Sequence, residues 1–297
     1  MRIPILPFIR ACRPLHAAKN LLLFLPLLAG HYGKGTQWVD AFMAAAAFSL
    51  AAAAGYLLND LRDAAGDRNH PLKKKRPIAS GELAPKWALL GAGALIWGAG
   101  AMAIGLPAVF AATLAGYLTL ALLYSLRLRA VAGLDLLAIA AFFVLRVVAG
   151  GAATGVWPSP WLLAFVGATA LALAGCKRHA ELHRLHGEGT DDDSCQAPGR
   201  GWSTRHRSLL LGLSAGAGAV AACVLVAYTQ SPAASLLYAH PLRLLLAPLL
   251  LALWLARLIR RASQGRMSED PLIFALTDWA AWLAAALGFA VIAWASH

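Results

Sequence analysis

The sequence predicts an all-α integral membrane protein, a bundle of nine transmembrane helices. Composition is the first reason: of 297 residues 60% are hydrophobic and only 13% are charged, as in a polytopic membrane protein and unlike a soluble domain of this length. The second is hydropathy. Apolar runs lie near 16–31, 41–58, 87–105, 107–125, 133–154, 159–176, 208–229, 242–258 and 272–294, each long enough to cross a hydrocarbon core of roughly 30 Å as a helix. Charge sorting is the third. Of the 26 lysines and arginines, only Lys34 and Arg243 fall on one side of this topology, Arg146 lies inside a span, and the rest share the other side. This positive-inside pattern predicts a multi-pass cell (inner) membrane protein with a cytoplasmic amino terminus and an outside carboxyl terminus. It also explains the net charge of +12 without nucleic acid, which is not expected as a partner. Residues 1–297 read as a single membrane-embedded domain.

At the start of the first run, Arg13, His16, Lys19 and Asn20 recur at helical spacing and form a polar stripe at the membrane surface. Lys19 and Asn20 sit deepest, within reach of a bound phosphate. Arg10 and Arg13 ahead of Leu21 to Ala29 imitate a secretory signal, but Lys19 and Asn20 interrupt it, and an uncleaved first span is expected. The second run is alanine-rich, which lets helices approach closely.

After it comes the most informative stretch, Asn59 to Gly81, N-D-L-R-D-A-A-G-D-R-N-H-P-L-K-K-K-R-P-I-A-S-G. If Asn59 to Asp67 is helical, Asn59, Asp63 and Asp67 stand four apart and line one face, with Asp60 turned slightly aside. An oxygen-only cluster suits a hard cation such as Mg²⁺, which keeps some waters and takes phosphate oxygens as further ligands. Arg68, His70, Lys73, Lys74, Lys75 and Arg76 follow at once and can grip the same phosphates. The stretch reads as a Mg²⁺-diphosphate site. The plainer reading of the lysine run is a solvated cytoplasmic loop, but three aspartates at the end of a span are costly to place without a purpose.

The third and fourth runs join through a short turn at Gly105 and Pro107 and form a hairpin. The fourth leads to Tyr124, Ser125, Arg127 and Arg129, then to Asp135. Asp135 and Arg146 lie nearly on one face of the fifth span. Arg146 is the deepest charge, and a lone arginine there costs at least about 2.5 kcal/mol. Its partner is either a protein carboxylate or helix end, or a lipid or substrate phosphate.

The sixth run ends in Cys176-Lys177-Arg178-His179-Ala180-Glu181, placing Lys177, Arg178 and Glu181 at the membrane boundary on the side of the aspartates. His179, His183 and His186 have helical spacing, yet no cysteine or carboxylate completes a zinc site, and a titratable cytoplasmic face is expected. Residues 187–204, with Asp191, Asp192, Asp193 and several glycines, read as a flexible cytoplasmic loop without chemistry. Cys12, Cys176, Cys195 and Cys223 have no metal-like spacing, and no disulfide is expected. Near the end, Glu269-Asp270-Pro271 precede Asp278, which is expected to pair with a basic residue of the bundle.

These residues resemble the UbiA superfamily of intramembrane prenyltransferases, over most of the chain. The strongest element is the motif of Asn59, Asp60, Asp63 and Asp67. H-P-L-K-K-K-R-P-I-A-S-G at 70–81 is similar to the polyprenyl-phosphate (decaprenyl-phosphate) phosphoribosyltransferase branch. So are K-N at 19–20, Y-S at 124–125, L-D at 134–135, F-V-L-R-V-V-A-G at 143–150, K-R-H-A-E-L at 177–182 and D-P-L-I-F-A-L at 270–276.

The resemblance implies nine helices around a cytoplasm-facing polar cavity, with Asn59, Asp60, Asp63 and Asp67 on Mg²⁺ and diphosphate, and Asp60, Asp63 and Asp67 catalytic. Substrate contacts are implied for Lys19, Lys73, Arg76, Tyr124, Arg129, Arg146, Lys177, Arg178 and Glu181. Ordinary members carry a second aspartate motif for a second metal near the end of the sixth span, where this chain has K-R-H-A-E. The implied reaction transfers 5-phosphoribosyl from phosphoribosyl diphosphate (PRPP) to a polyprenyl phosphate and releases diphosphate. The alternatives are prenyl transfer from a prenyl diphosphate to an aromatic acceptor, and a transporter or lipid-binding protein without chemistry. No clear internal repeat supports the transporter.

Overall fold

The computed structural model describes residues 4–31, 33–69, 73–187, 199–267, 274–275 and 277–297. Among them the regular structure is helical and no strand occurs. The chain divides into two compact units, one of residues 1–125 and 145–158, the other of 126–144 and 159–297.

The first unit opens with α1 (Ile5–Cys12), a 3₁₀ run (Pro14–Phe24) and α2 (Leu25–Ala29). Proline stands near the start of both later segments, where its missing N–H costs no helical bond. This is the expected first span. Its 11 and 5 residues extend roughly 30 Å because 3₁₀ structure rises about 2.0 Å per residue. In residue count it is shorter than the eight helices whose length and apolar composition suffice to cross a membrane.

Next is α3 (Gly35–Arg68), 34 residues long. At 1.5 Å per residue it outruns a hydrocarbon core by several turns, so the acidic stretch continues the span's own helix. Ala41, Ala44, Ala47, Phe48, Ala51, Ala54 and Leu57 are buried at helical spacing, a small-residue face that admits close neighbours. Against α3 packs α4 (Pro85–Ile104), with buried Ala88, Ala92, Ala99 and Ala103. A side chain at Gly98 would come 3.3 Å from Leu50. The fifth helix, α5 (Ala108–Leu126), brings Phe110 and Tyr117 against Phe48.

Helix α6 (Leu134–Thr154) contributes 134–144 to the second unit and 145–154 to the first. The second unit continues with α7 (Pro160–Gly187), α8 (Arg207–Thr229), α9 (Pro232–Leu237), α10 (Leu246–Ser263) and α11 (Trp279–Ser296). Gly175 lets α7 and α8 close together, since a Cβ there would meet Ser214 and lie 3.1 Å from the Leu210 carbonyl. An apolar cavity of about 420 Å³ lies among Phe165, Leu251, Trp254, Trp282, Ala285 and Gly288.

Candidate active site at the end of α3

The helical continuation places Asp60, Asp63 and Asp67 at successive turns, and the fold decides which of them meet. Arg76 Nη1 lies 2.7 Å from Asp67 Oδ2 and 3.2 Å from Asp60 Oδ1. Arg13 Nη2 lies 2.6 Å from the same Asp60 oxygen. Asn59, Asp63 and Asp67 stand four apart on this continuous helix, as the spacing implies. Asp60 and Asp67 share a cation, while Asn59 turns to α5 and accepts a hydrogen bond from Ser125 Oγ. Arg62 donates to the Ser125 carbonyl and hydroxyl, which fixes that corner. Asp63 is half-buried between the two bridged aspartates.

The positions of both arginines follow from the local fold. Lys73–Lys75 form a 3₁₀ turn, and Arg76 N–H donates to the Lys73 carbonyl at 2.9 Å. Just beyond, Ile78 and Leu83 are buried with Ala11, Ala54, Leu57, Ala88 and Ala92, anchoring the return of the chain. Gly81 makes that return possible with φ of 85°, a conformation glycine adopts without penalty. Lys74 and Lys75 are exposed and Lys73 is half-buried. His70 lies outside the described residues.

Arg13 sits between α1 and the 3₁₀ run with φ of 53° and ψ of 63°, a left-handed conformation uncommon for a side-chain-bearing residue. Its guanidinium covers the Tyr56 ring at 5.2 Å. Tyr56 OH and Lys19 Nζ both lie 3.4 Å from His16 Nδ1. Arg13 was expected only as an interfacial anchor. Pro14 marks the helix break at Arg13, but its partner is 47 positions away, a separation with no helical meaning.

Deeper in the same unit, Arg146 is buried, its Nε donating to Asn20 Oδ1 at 2.9 Å and its Nη2 to Tyr117 OH at 3.1 Å. Asn20 in turn donates to Ser49 Oγ at 2.8 Å. These two partners are an amide and a phenol. Tyr124 is half-buried near the end of α5.

The second unit treats its acids differently. Arg178, 1% exposed, donates from Nε and Nη2 to both oxygens of Asp135 at 2.5 and 2.8 Å, and from Nη1 to Glu181 at 2.8 Å. Arg200 Nε reaches Glu181 at 3.0 Å, and Trp202 Nε1 donates to Asp135 at 3.1 Å. Arg178, expected on a substrate phosphate, thus has protein carboxylates around its guanidinium.

Within the expected flexible loop, Trp202, Ser203 and Thr204 are buried. A Cβ at Gly201 would lie 2.5 Å from Ala132 N and 2.6 Å from Ala130 O. Residues 188–198, with Asp191–Asp193 and Cys195, lie outside the described residues, as do Glu269 and Asp270. Lys177 is half-buried, and Arg129 is half-buried on a short 3₁₀ turn (Leu128–Ala130). His179 Nδ1 donates to the Arg207 carbonyl at 3.0 Å, and Arg207 Nη2 donates to His183 Nδ1 at 3.1 Å. Asp278 pairs with Arg257 as expected.

Among the described residues no three His, Cys, Asp or Glu side chains gather as a metal-holding group. Mg²⁺ needs fewer, commonly one or two carboxylates completed by water and substrate phosphate. The donors at the end of α3 fit that requirement. They are all oxygen, and a positive nitrogen of Arg76 already occupies a point between two of the carboxylates.

A model of the UbiA prenyltransferase family matches residues 21–282. The chain is 34% identical over 272 residues to the uncharacterized protein y4nM of Sinorhizobium fredii, covering 91% of this chain and 52% of that protein. It therefore spans about half the length of that relative. It is 31% identical over 280 residues to the nodulation protein NoeC of Azorhizobium caulinodans, covering 93% of this chain and 89% of NoeC. Decaprenyl-phosphate phosphoribosyltransferase of Mycobacterium tuberculosis is 36% identical over 182 residues, covering 59% and 60% of the two chains. In fold the chain is similar to a UbiA homologue from Archaeoglobus fulgidus solved with GPP and Mg²⁺, with a TM-score of 0.68 at 18% identity over 97% of this chain and 99% of that one.

Proposed function

The chain belongs to the UbiA prenyltransferase family, and from that premise we propose that it transfers 5-phosphoribosyl from PRPP to a polyprenyl phosphate, releasing diphosphate. The observation that carries this choice is the state of the α7 segment. Family members that use a prenyl diphosphate place a second aspartate cluster there. In this chain its one acid, Glu181, is neutralised by Arg178 and Arg200. The partial relative named decaprenyl-phosphate phosphoribosyltransferase supports the same choice.

In the proposed reaction an oxygen of the lipid phosphate attacks ribose C1 while the C1–O bond to diphosphate breaks, and the electron pair leaves with diphosphate. The nucleophile is already anionic and needs little general-base help, so the barrier lies in the leaving charge and in alignment. Bound Mg²⁺ would supply charge neutralisation on the leaving group. Asp60, Asp63 and Asp67 would hold it, with Asn59 on their flank. Arg13, Lys73 and Arg76 add positive charge beside them. Lys19 and Arg146, with Tyr124, are the first unit's candidates for the second phosphate-bearing substrate. The protein is a multi-pass membrane protein by its helices, and the positive-inside charges support the inner membrane with a cytoplasmic amino terminus.

The test is a paired assay on detergent-purified protein with Mg²⁺. Labelled PRPP plus a polyprenyl phosphate should yield a labelled lipid, and a prenyl diphosphate plus 4-hydroxybenzoate should yield none. Product only from the second mixture would replace this reading with aromatic prenylation.

A further inference from the structure

One nitrogen of Arg76 bridges two carboxylates that stand two helical turns apart. The carboxylates are almost fully buried, 3% exposed for Asp60 and 7% for Asp67, whereas the side chains of Arg76 and Arg13 are 27% and 28% exposed. Two buried carboxylates without a counter-ion would carry a large desolvation penalty, so some cation must stay with them. A hard divalent ion binding the same oxygens sits about 2.0–2.1 Å from them. It cannot share that space with Arg76 Nη1, and like charges at this range repel. Arg76, unlike Arg178, has solvent on one side and a long arm with which to move.

We propose that Arg76 is an exchangeable counter-ion. Without metal it neutralises Asp60 and Asp67. When the metal enters with diphosphate, Arg76 leaves the carboxylates and pairs with a diphosphate oxygen, while Arg13, anchored over Tyr56, keeps hold of Asp60. This deepens the functional reading above and rests on it for the identity of the anion. The consequence is a coupling between ligands. Metal alone must push Arg76 into water. Metal with diphosphate offers it a new anion, so each ligand strengthens the other's binding.

The full-length protein in detergent tests this with Mn²⁺ and inorganic diphosphate as probes, neither of which is PRPP or lipid. Mn²⁺ binding is followed by loss of the free-ion EPR signal, and diphosphate binding by equilibrium dialysis of the labelled anion at saturating Mn²⁺. Arg76→Gln is expected to bind Mn²⁺ alone about tenfold more tightly than the wild type and diphosphate about tenfold more weakly, each near 1.4 kcal/mol. Arg76→Lys, which keeps the charge and loses the fork, should fall between. Unchanged or weaker Mn²⁺ binding in Arg76→Gln overturns the proposal, as does unchanged diphosphate binding. If Arg76→Gln is unstable without metal, Mn²⁺ should raise its thermal midpoint more than it raises the wild type's. Failure to do so also overturns it. These signs holding while the lipid-labelling assay fails would remove the phosphoribosyl reading and leave the exchange standing.

Discussion

The chain holds two Asp–Arg constellations of nearly the same chemistry, and they differ in what surrounds the guanidinium. At the end of α3, Arg76 touches two aspartates through one nitrogen, and both it and Arg13 are more than a quarter exposed. In the second unit, the buried Arg178 presents three nitrogens to Asp135 and Glu181, and Arg200 and Trp202 bond the same carboxylates. Under the proposed exchange the first releases its arginine and the second does not. Burial of the cation, more than the count of charges, separates a site that can bind a ligand from a strut.

That comparison predicts a ranking of effects. The largest belongs to the strut: Arg178→Ala leaves Asp135 buried with its main counter-ion gone, a loss of about 3–5 kcal/mol, read as a fall in thermal midpoint with or without Mg²⁺. An unshifted midpoint would put Arg178 in the same class as Arg76. Next, Asp67→Asn should lower turnover at least about a hundredfold, near 2.7 kcal/mol in the barrier, while the protein stays folded. Chelation with EDTA should do the same. Near-normal turnover in both would reduce the cluster to a structural feature. A smaller effect is expected at Trp202→Phe, which keeps an aromatic ring and removes one hydrogen bond to a carboxylate, about 1.5 kcal/mol of stability. The smallest is Arg10→Gln, which breaks a pair with Glu82 whose side chains are 51% and 42% exposed. Such a pair contributes less than about 1 kcal/mol, and a larger loss would show α1 to be held by charge instead of its apolar face.

The legible parts of this protein are those encoded by near neighbours. The α3 span and its acidic continuation follow from hydropathy and from spacings of three and four. The pairing of Asp278 with a basic residue was also readable, because a buried acid needs a cation. Asp135 and Arg146 were read as a common face, yet eleven residues of helix separate them by roughly 16 Å, too far for contact, and each took partners from other elements. The loop at 187–204 was read as flexible from its aspartates and glycines. In the fold Gly201 and Trp202 are packed against residues 130–132 and Asp135, and Gly201 is there because no Cβ fits.

Sequence alone determined the membrane class, most of the spans and the oxygen-rich cluster with its neighbouring cations, because these depend on composition and on helical periodicity. Tertiary structure decided which cation meets which acid. Arg13 reaches Asp60 from 47 positions away and Arg178 reaches Asp135 across 43. Neither spacing has a helical meaning. Such pairs are selected by the desolvation of buried carboxylates once helices have packed, and that selection exists only in the folded chain.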